Sequence, residues 1–300
     1  GTFREAVSAR TFSDILGDSI TRRMLDDYRT NPQYNDWRAI ADVVPVRDFR
    51  TQERTRMGGY GNLPGVAEND PYLALATPGD EKATYAISKR GGVETLSIEA
   101  IANDDVGLIR RIPGKLSHAA RRTLYTFVLS FIDPATNPVI YDGLALYVAG
   151  HNNIGVAALD AAAYAAARLR LQKQVEAGSN ERLGLLARHL YIPAELEEIA
   201  YDLFKRDTNN DETFVQSQKP IVHVVPTWTD PNNWVVTADR SQVPLIEVGF
   251  FNGNEEPELF VQDNPTQGSL FSNDQIKYKI RHVYGGAVAE FRGLDGSVVA

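Results

Sequence analysis

The chain of 300 residues contains no cysteine and no apolar run close to the roughly 20 residues that a membrane-spanning helix needs. Without cysteine it has no disulfide bridge, no thiolate metal site and no thiol nucleophile. Histidine is also scarce, and no two histidines lie within one helical turn of each other, so the spacing of a helical zinc motif is absent. The histidines are His118, His151, His189, His223 and His282.

An excess of positive charge is lacking as well. Lysine and arginine together number 31 against 39 aspartates and glutamates, which gives a formal net charge of −8. Affinity for phosphate comes from clustered Lys and Arg, so this balance argues against a general nucleic-acid binder. The length fits one large domain or two smaller ones, and a chain of this size can bury a core without covalent staples.

Motifs that carry catalysis are missing too. The glycine-rich stretch GGYGNLPG places Pro64 where a dinucleotide fingerprint has its third glycine, and it lies within a loop. No G-x-S-x-G elbow occurs. We therefore predict no catalytic residue, no cofactor-binding residue and no metal ligand. Because a catalytic triad is assembled in space, a soluble α+β enzyme or ligand-binding protein with a spatial site is the alternative.

The clearest pattern that is present is a long amphipathic helix from about residue 108 to residue 132. Its apolar residues recur at steps of three and four, through Leu116, Leu124 and Val128. Pro113 should kink this helix or mark its start. Before it, two extended runs flank a long segment rich in glycine and proline, which predicts a hairpin that projects from the body.

Near the C-terminus, the stretch QIKYKIRHVYGG alternates with period two, as a strand does. Ile276, Tyr278 and Ile280 fall on one parity, which we expect to pack on the long helix. The other parity carries Lys277, Lys279 and Arg281. Two interpretations of this cationic row stand side by side: it faces a partner, or it is a solvated edge on which lysine prevents mispairing.

Taken in order, the patterns predict an α+β protein with four parts. They are an N-terminal arm (1–43), a projecting hairpin (44–97), a long helix together with the closing strands (98–134 and 245–300), and an inserted α+β unit (135–244).

This plan resembles the major capsid protein of tailed bacteriophages, in particular the Mu-like prophage major head subunit group. Three stretches carry the resemblance: ETLSIEAIANDDVGLIRRIPGKLSHAARRTLYTFVLSFI, RLGLLARHLYIPAELEEIAYDLF, and the segment from PLIEVGFF to EFRGL. Together they cover most of residues 94–294. The arm and the hairpin match in position and character only.

The resemblance implies the tailed-phage capsid fold (HK-97 type) and a structural subunit without enzymatic activity or cofactors. In that fold the hairpin is the extended loop (44–97) and the inserted unit is the axial domain (135–244). The long helix is the spine helix of a peripheral domain with a long sheet (98–134 and 245–300). It implies assembly with copies of itself into pentamers and hexamers of an icosahedral shell in the virion, formed in the host cytoplasm. Double-stranded DNA would be enclosed without specific binding. Further expected partners are portal, scaffold, head protease and decoration proteins, with no membrane. The chain opens GTFREAV without an initiator Met, which fits either a removed tag or natural cleavage by such a protease.

The candidate subunit interface consists of cations in the hairpin and on the closing strand. The hairpin is expected to lie across a neighbouring subunit, because a long loop of this kind cannot bury itself within one chain. The candidate residues are Arg50, Arg54, Arg56, Lys82, Lys277, Lys279 and Arg281.

Overall fold

The computed structural model describes residues 21–30, 34–60, 62–66, 71–72, 74–75, 78–97, 99, 103, 111–205, 213–262, 264 and 266–299. Its strands are β1 (Ala41–Val46), β2 (Gln52–Met57), β3 (Asp80–Tyr85), β4 (Ser88–Ser97), β5 (Ile154–Gly155), β6 (Ala187–Ile192), β7 (Ile221–Val224), β8 (Trp234–Ala238), β9 (Ile246–Phe251), β10 (Glu258–Gln262), β11 (Gln275–Val288) and β12 (Leu294–Ser297). Its helices are α1 (Ile112–Leu129), α2 (Ala161–Lys173), α3 (Glu197–Phe204), α4 (Phe214–Ser217) and α5 (Ser269–Asn273). The mixture of helix and strand confirms the predicted α+β class.

The first sheet is organised around the long strand β11. The N-terminal part of β11 lies between β4 and β10, and both of these strands run antiparallel to it. The C-terminal part pairs with β9, which in turn pairs in parallel with β1. The predicted alternation is observed, since Tyr278 is buried and the next residue, Lys279, is exposed.

Helix α1 is the predicted spine helix, and it packs on the apolar face of β11. Leu124, Val128 and Leu129 are almost fully buried, and the ring of Phe127 lies 5.2 Å from that of Tyr284. The helix begins at Ile112 with proline in its first turn, where the missing N–H costs nothing. The prediction that this proline marks a helix start is therefore confirmed.

The second sheet has the order β5-β12-β8-β6-β7. Four of its strands come from the range predicted as the axial domain, and the fifth does not. Strand β12, which we predicted within the peripheral domain, pairs antiparallel with β8 and parallel with β5. The chain therefore crosses from β11 in the first sheet directly into the second. The predicted domain boundaries stay a prediction, with residues 294–297 paired on the axial side.

Strands β2 and β3 form a separate two-stranded hairpin. It is shorter than the predicted range of 44–97, because β1 and β4 at its two ends belong to the first sheet. The hairpin lies along residues 174–184 of the same subunit. Its closing hydrogen bond runs from Gly58 N to Gly79 O at 2.7 Å, and Asn62 donates to Glu181 at 2.8 Å.

One contiguous hydrophobic core joins both sheets and the spine helix. It includes Val128 of α1, Phe250 and Tyr284 of the first sheet, and Val236 and Leu294 of the second. The arm is fixed to this core through Trp37, whose side chain is 1% exposed. Residues 1–20 of the predicted arm lie outside the described residues.

Candidate subunit interface

The structure divides the seven predicted interface residues into two groups. Arg50, Arg54, Arg56 and Lys82 belong to the hairpin or its approach, and the other three lie on β11. The two groups differ in their surroundings. Two of the hairpin cations are paired with the body of their own subunit, whereas the β11 group lies on a sheet face with one ion pair.

Arg56 lies in a buried network of charges between the hairpin and the second half of the chain. Its guanidinium contacts Glu290, whose side chain is 0% exposed. Arg292 donates to Glu290 at 2.8 Å and to both carboxylate oxygens of Glu81 at 2.7 and 2.9 Å. Glu176, from the turn along which the hairpin lies, approaches Arg56 at 3.7 Å.

The pKa directions agree with this geometry. Burial, followed by the charge of Arg292, lowers the pKa of Arg56. Burial raises the pKa of the Glu81 carboxyl, but the hydrogen bonds and charge of Arg292 outweigh it and hold that pKa below its usual value. The network therefore consists of ionised partners that sustain each other in a poorly solvated position.

A second contact fastens the base of the hairpin to strand β9. Arg54 Nε lies 3.1 Å from Glu247, and the hydroxyl of Tyr85 donates to the same carboxylate at 2.8 Å. Burial and the hydrogen bond to Glu247 raise the pKa of Tyr85. Within the subunit, Arg54 and Arg56 thus set the position of the hairpin relative to both sheets.

The remaining hairpin cations lie at the surface. Lys82 pairs with Glu53 at 2.5 Å, and both side chains are about half exposed. Arg50 is exposed in the segment before β2. Exposed pairs of this kind contribute little to stability, so neither residue is needed to hold the hairpin in place.

The far end of the hairpin, which we call the tip (residues 58–79), exposes a concentration of large apolar side chains. Tyr72 is 88% exposed and Leu63 is 78% exposed. Such a concentration is unusual on a soluble monomer and marks a contact surface. The other exposed apolar residues at the tip are Tyr60, Val66 and Leu75, with Met57 beside them at the end of β2.

The β11 cations lie on the sheet face opposite to the spine helix. Register places Val93 and Phe260 on either side of Lys279, and all three are exposed. Lys279 lies 4.5 Å from the centre of the Phe260 ring. Arg281 pairs with Glu258 at 2.5 Å and also lies over this ring. The residues enclose a hollow of about 440 Å³ that Lys277 also lines.

The opposite face of β11 has a groove of about 570 Å³ against the spine helix. Ile280 and His282 line it from the strand, and Leu116 and Ala120 line it from the helix. Ile280 is half-buried, so the predicted packing of this parity on the helix is looser here than at Tyr284. Burial lowers the pKa of His282 to about 4.

Other kinds of site are not found in the part of the chain that the structure describes. There, no three side chains of His, Asp or Glu come together in a way that could hold a metal ion. Within the same part, no helix has the length and hydropathy to cross a bilayer.

A family profile described as "Phage capsid protein" matches residues 80–294. This range holds α1, both large sheets apart from β1 and most of β12, and the charge network apart from Arg56. The chain belongs to the phage capsid protein family. It is a shell-forming structural subunit, which confirms the predicted function and favours it over the alternative of an enzyme or ligand-binding protein. The Mu-like subgroup stays a prediction.

Solved structures share the fold of this capsid subunit at low sequence identity. A chain from Microbacterium phage Oxtober96 is 10% identical, with a TM-score of 0.59 and coverage of 88% of this chain and 91% of that one. The capsid of a native GTA particle is 12% identical, with a TM-score of 0.59 and coverage of 90% and 92%. A chain from Mycobacterium phage Ogopogo is 15% identical, with a TM-score of 0.54 and coverage of 89% and 92%. No protein among the curated ones matches the sequence.

These likenesses confirm the predicted tailed-phage capsid fold (HK-97 type). Our reading of the capsid subunit's sequence missed the charges that hold the hairpin. Glu290 and Arg292 stand on one parity inside the largely apolar stretch GGAVAEFRGL. Two opposite charges two residues apart in an otherwise apolar stretch predict a buried ion pair, and this signal could have found them. In the structure they lie in the segment that joins β11 to β12.

Proposed function

We propose that this capsid subunit assembles with copies of itself into pentamers and hexamers, which tile an icosahedral shell around double-stranded DNA. Its role is structural and not catalytic. The observation that carries this proposal is the tip, whose exposed apolar side chains no part of the described subunit covers. A second copy would supply that cover.

The charges of the chain support the same role. A net charge of −8 keeps a shell lining from binding the packaged DNA tightly, so the DNA is enclosed without specific recognition. The face around Lys277 and Lys279 offers two cations that make no ion pair with any residue that the structure describes. Lys82 lies exposed in the hairpin, and Arg50 lies exposed just before it. We assign these four residues and Arg281 to contacts between subunits. Arg54 and Arg56 act through the position that they give the hairpin.

The location and the partners of the subunit follow from this role. The subunit is part of the virion and assembles in the host cytoplasm, in contact with scaffold, head protease and portal proteins. Decoration proteins are a further partner for the outer surface. No membrane is involved.

The test replaces residues 59–78 with the dipeptide Asn-Gly. Gly58 and Gly79 are already joined by a hydrogen bond, and Asn-Gly forms the tight turn that two such strands need. The variant should unfold at the same denaturant concentration as the parent chain. Negative-stain microscopy and sedimentation should show closed shells for the parent and none for the variant. Closed shells at the parent's yield would contradict the proposal.

The cationic face has its own test. Lys279→Glu should leave stability within about 0.5 kcal/mol of the parent, because the side chain is exposed. Its shell yield should fall, and added salt should weaken assembly of the parent, since salt screens exposed charges. The matched control is Lys115→Glu, the same charge change at an exposed position of the spine helix. Equal yields for Lys279→Glu and the parent would make this a solvated sheet face without a partner. The alternative of an edge that lysine protects from mispairing is wrong, because β4 and β10 pair with this part of β11 on both sides.

A further inference from the structure

Two buried histidines lie in contact at one edge of the second sheet. His189 on β6 is 5% exposed and His223 on the edge strand β7 is 9% exposed. His189 Nδ1 and His223 Nε2 are 3.0 Å apart. The ring of His223 also stacks on Tyr191 at 4.6 Å.

A carboxylate faces each outer end of this pair. His189 Nε2 lies 3.7 Å from Asp239, which follows β8. His223 Nδ1 lies 3.4 Å from Asp36, which begins the short helix of the arm that carries Trp37. The hydroxyl of Tyr191 donates to the backbone oxygen of Asp36 at 3.0 Å. Asp239, the two imidazoles and Asp36 therefore form a line of three contacts between the sheet and the arm.

The number of protons on the two rings decides how many of the three contacts are favourable. Each contact needs one N–H, because a carboxylate and a bare ring nitrogen both only accept. Two neutral imidazoles carry two protons, so one contact lacks a donor. One added proton raises the number of N–H donors on the two rings to three, so each of the three contacts has its donor. A second added proton places N–H against N–H at the centre, where the nitrogens are only 3.0 Å apart.

We propose that this histidine pair is an acid-sensitive contact that joins the edge strand β7 and the arm to the rest of the second sheet. The contact is stable while the pair carries at most one extra proton. When both rings are protonated, two cations repel across the boundary between β6 and β7. The acidified subunit then loosens residues 34–40 and 221–224 together, since Asp36 faces the ring of His223. The device belongs to the folded subunit, so it does not depend on the proposed shell.

The charges around the pair support this order of events. Burial lowers the pKa of His189, and the charges of His223 and Arg188 lower it further, against the opposing effect of Asp239. A histidine whose pKa is lower when folded than the ordinary 6.5 favours the folded state at high pH. Its contribution is present above about pH 6.5 and is lost as the pH falls below that value. Lowering the pH therefore weakens the contact that joins β7 and the arm to the second sheet.

The first experiment follows the histidine ring signals of the full-length subunit by NMR from pH 8 to pH 4. The pair should take up its two protons in separate steps, more than about one pH unit apart. Imidazole added to the sample serves as the reference. If both members of the pair took up their protons in a single step together with the added imidazole, the rings would not be coupled and the proposal would be overturned.

The second experiment measures hydrogen exchange by mass spectrometry over the same pH range, corrected for the intrinsic pH dependence. Peptides over 34–40 and 221–224 should lose protection at the second step, while the peptide over α1 keeps it. His189→Gln removes the second cation but keeps a donor and an acceptor, so it should abolish the loss. The ring of His118 lies 5.4 Å from that of Tyr34, in the same arm peptide, so His118→Gln asks whether this histidine causes the loss instead; it should behave like the parent.

Asp239→Asn provides an independent variant in case His189→Gln fails to fold. The asparagine oxygen can still accept from Ser241 N, as Asp239 does at 2.8 Å, but the charge that stabilises a protonated His189 is gone. Loosening should therefore move to lower pH. The proposal is overturned if loosening occurs at the parent's pH in His189→Gln, or in Asp239→Asn where His189→Gln does not fold.

Discussion

Replacing Arg292 with methionine should destabilise the subunit strongly, because it removes the central cation of the buried charge network. Arg292 is 10% exposed in its side chain and donates three hydrogen bonds of 2.7 to 2.9 Å to Glu81 and Glu290. Methionine keeps similar length and apolar contact but removes the cation that bridges the two carboxylates. Glu290 keeps Arg56 and the backbone N–H of residue 292, and Glu81 keeps the hydroxyl of Tyr141 at 3.3 Å. Breaking a buried pair by removing one partner costs about 3–5 kcal/mol. We expect a value near the lower end, since Arg56 still contacts Glu290.

The matched control is Arg281→Met, which removes an equally short contact to Glu258 at the surface. There the side chains are 38% and 43% exposed, so the expected cost is at most about 1 kcal/mol. The assay is urea unfolding followed by tryptophan fluorescence, with the free energy of unfolding compared between each variant and the parent. If Arg292→Met cost no more than Arg281→Met, the network would be solvated in solution, and our account of how the hairpin is held would be refuted.

Three further outcomes are expected. Burial raises the pKa of Asp295 to about 6 despite its bond to Arg170, so this group contributes stability below about pH 4 that is lost as the pH rises to about 6. In Asp295→Asn, the urea concentration at the midpoint of unfolding should therefore change less between pH 4 and pH 6 than in the parent. The same change with pH in both proteins would contradict this. Ile280→Ala should cost less than about 2 kcal/mol of unfolding free energy, because the side chain is half-buried beside a groove; a larger loss would mean that the groove is closed. Asp160→Ala should cost about 1 kcal/mol in the same assay by removing the cap that accepts from Ala163 N at 2.7 Å; an unchanged free energy of unfolding would contradict this.

Local patterns allowed the spine helix and the closing strand to be predicted. The three- and four-residue steps through Leu124 and Val128 determine which side of a helix is buried, whatever it packs against. The alternation at Tyr278 and Lys279 likewise determines the two faces of a strand. Both signals depend on neighbours in sequence, so one chain was sufficient to detect them.

The partners of the hairpin cations could not be predicted in this way. Arg54 and Arg56 resemble exposed charges in a loop, and their partners Glu247 and Glu290 lie about 200 residues further along the chain. Nothing in the local sequence selects those carboxylates. The crossing of the chain into β12 was missed for a related reason, since LDGS has little strand character on its own and is held by β8 and β5.

The Gly285-Gly286 pair shows that a sequence can indicate an unusual backbone position without specifying what makes it unusual. A glycine pair within a strand is typical of a bulge or a bend, but both glycines continue the regular pairing of β11 with β9. A side chain at Gly285 would meet the backbone oxygen of Ala86 within 2.4 Å, and one at Gly286 would meet that of Glu247 within 2.6 Å. The glycines are required because other backbone segments approach the strand closely.

The last strands of the fold to be synthesised are the ones that both sheets need. β11 separates β4 from β10, and β12 separates β5 from β8, so neither sheet is continuous until residues 275–297 have left the ribosome. Contacts so distant in sequence form late and slowly. A nascent chain therefore lacks both complete sheets, although the β2–β3 hairpin can already pair. The hairpin acquires its fixed position only when Glu247 and Glu290 have been added, because Arg54 and Arg56 contact these two carboxylates.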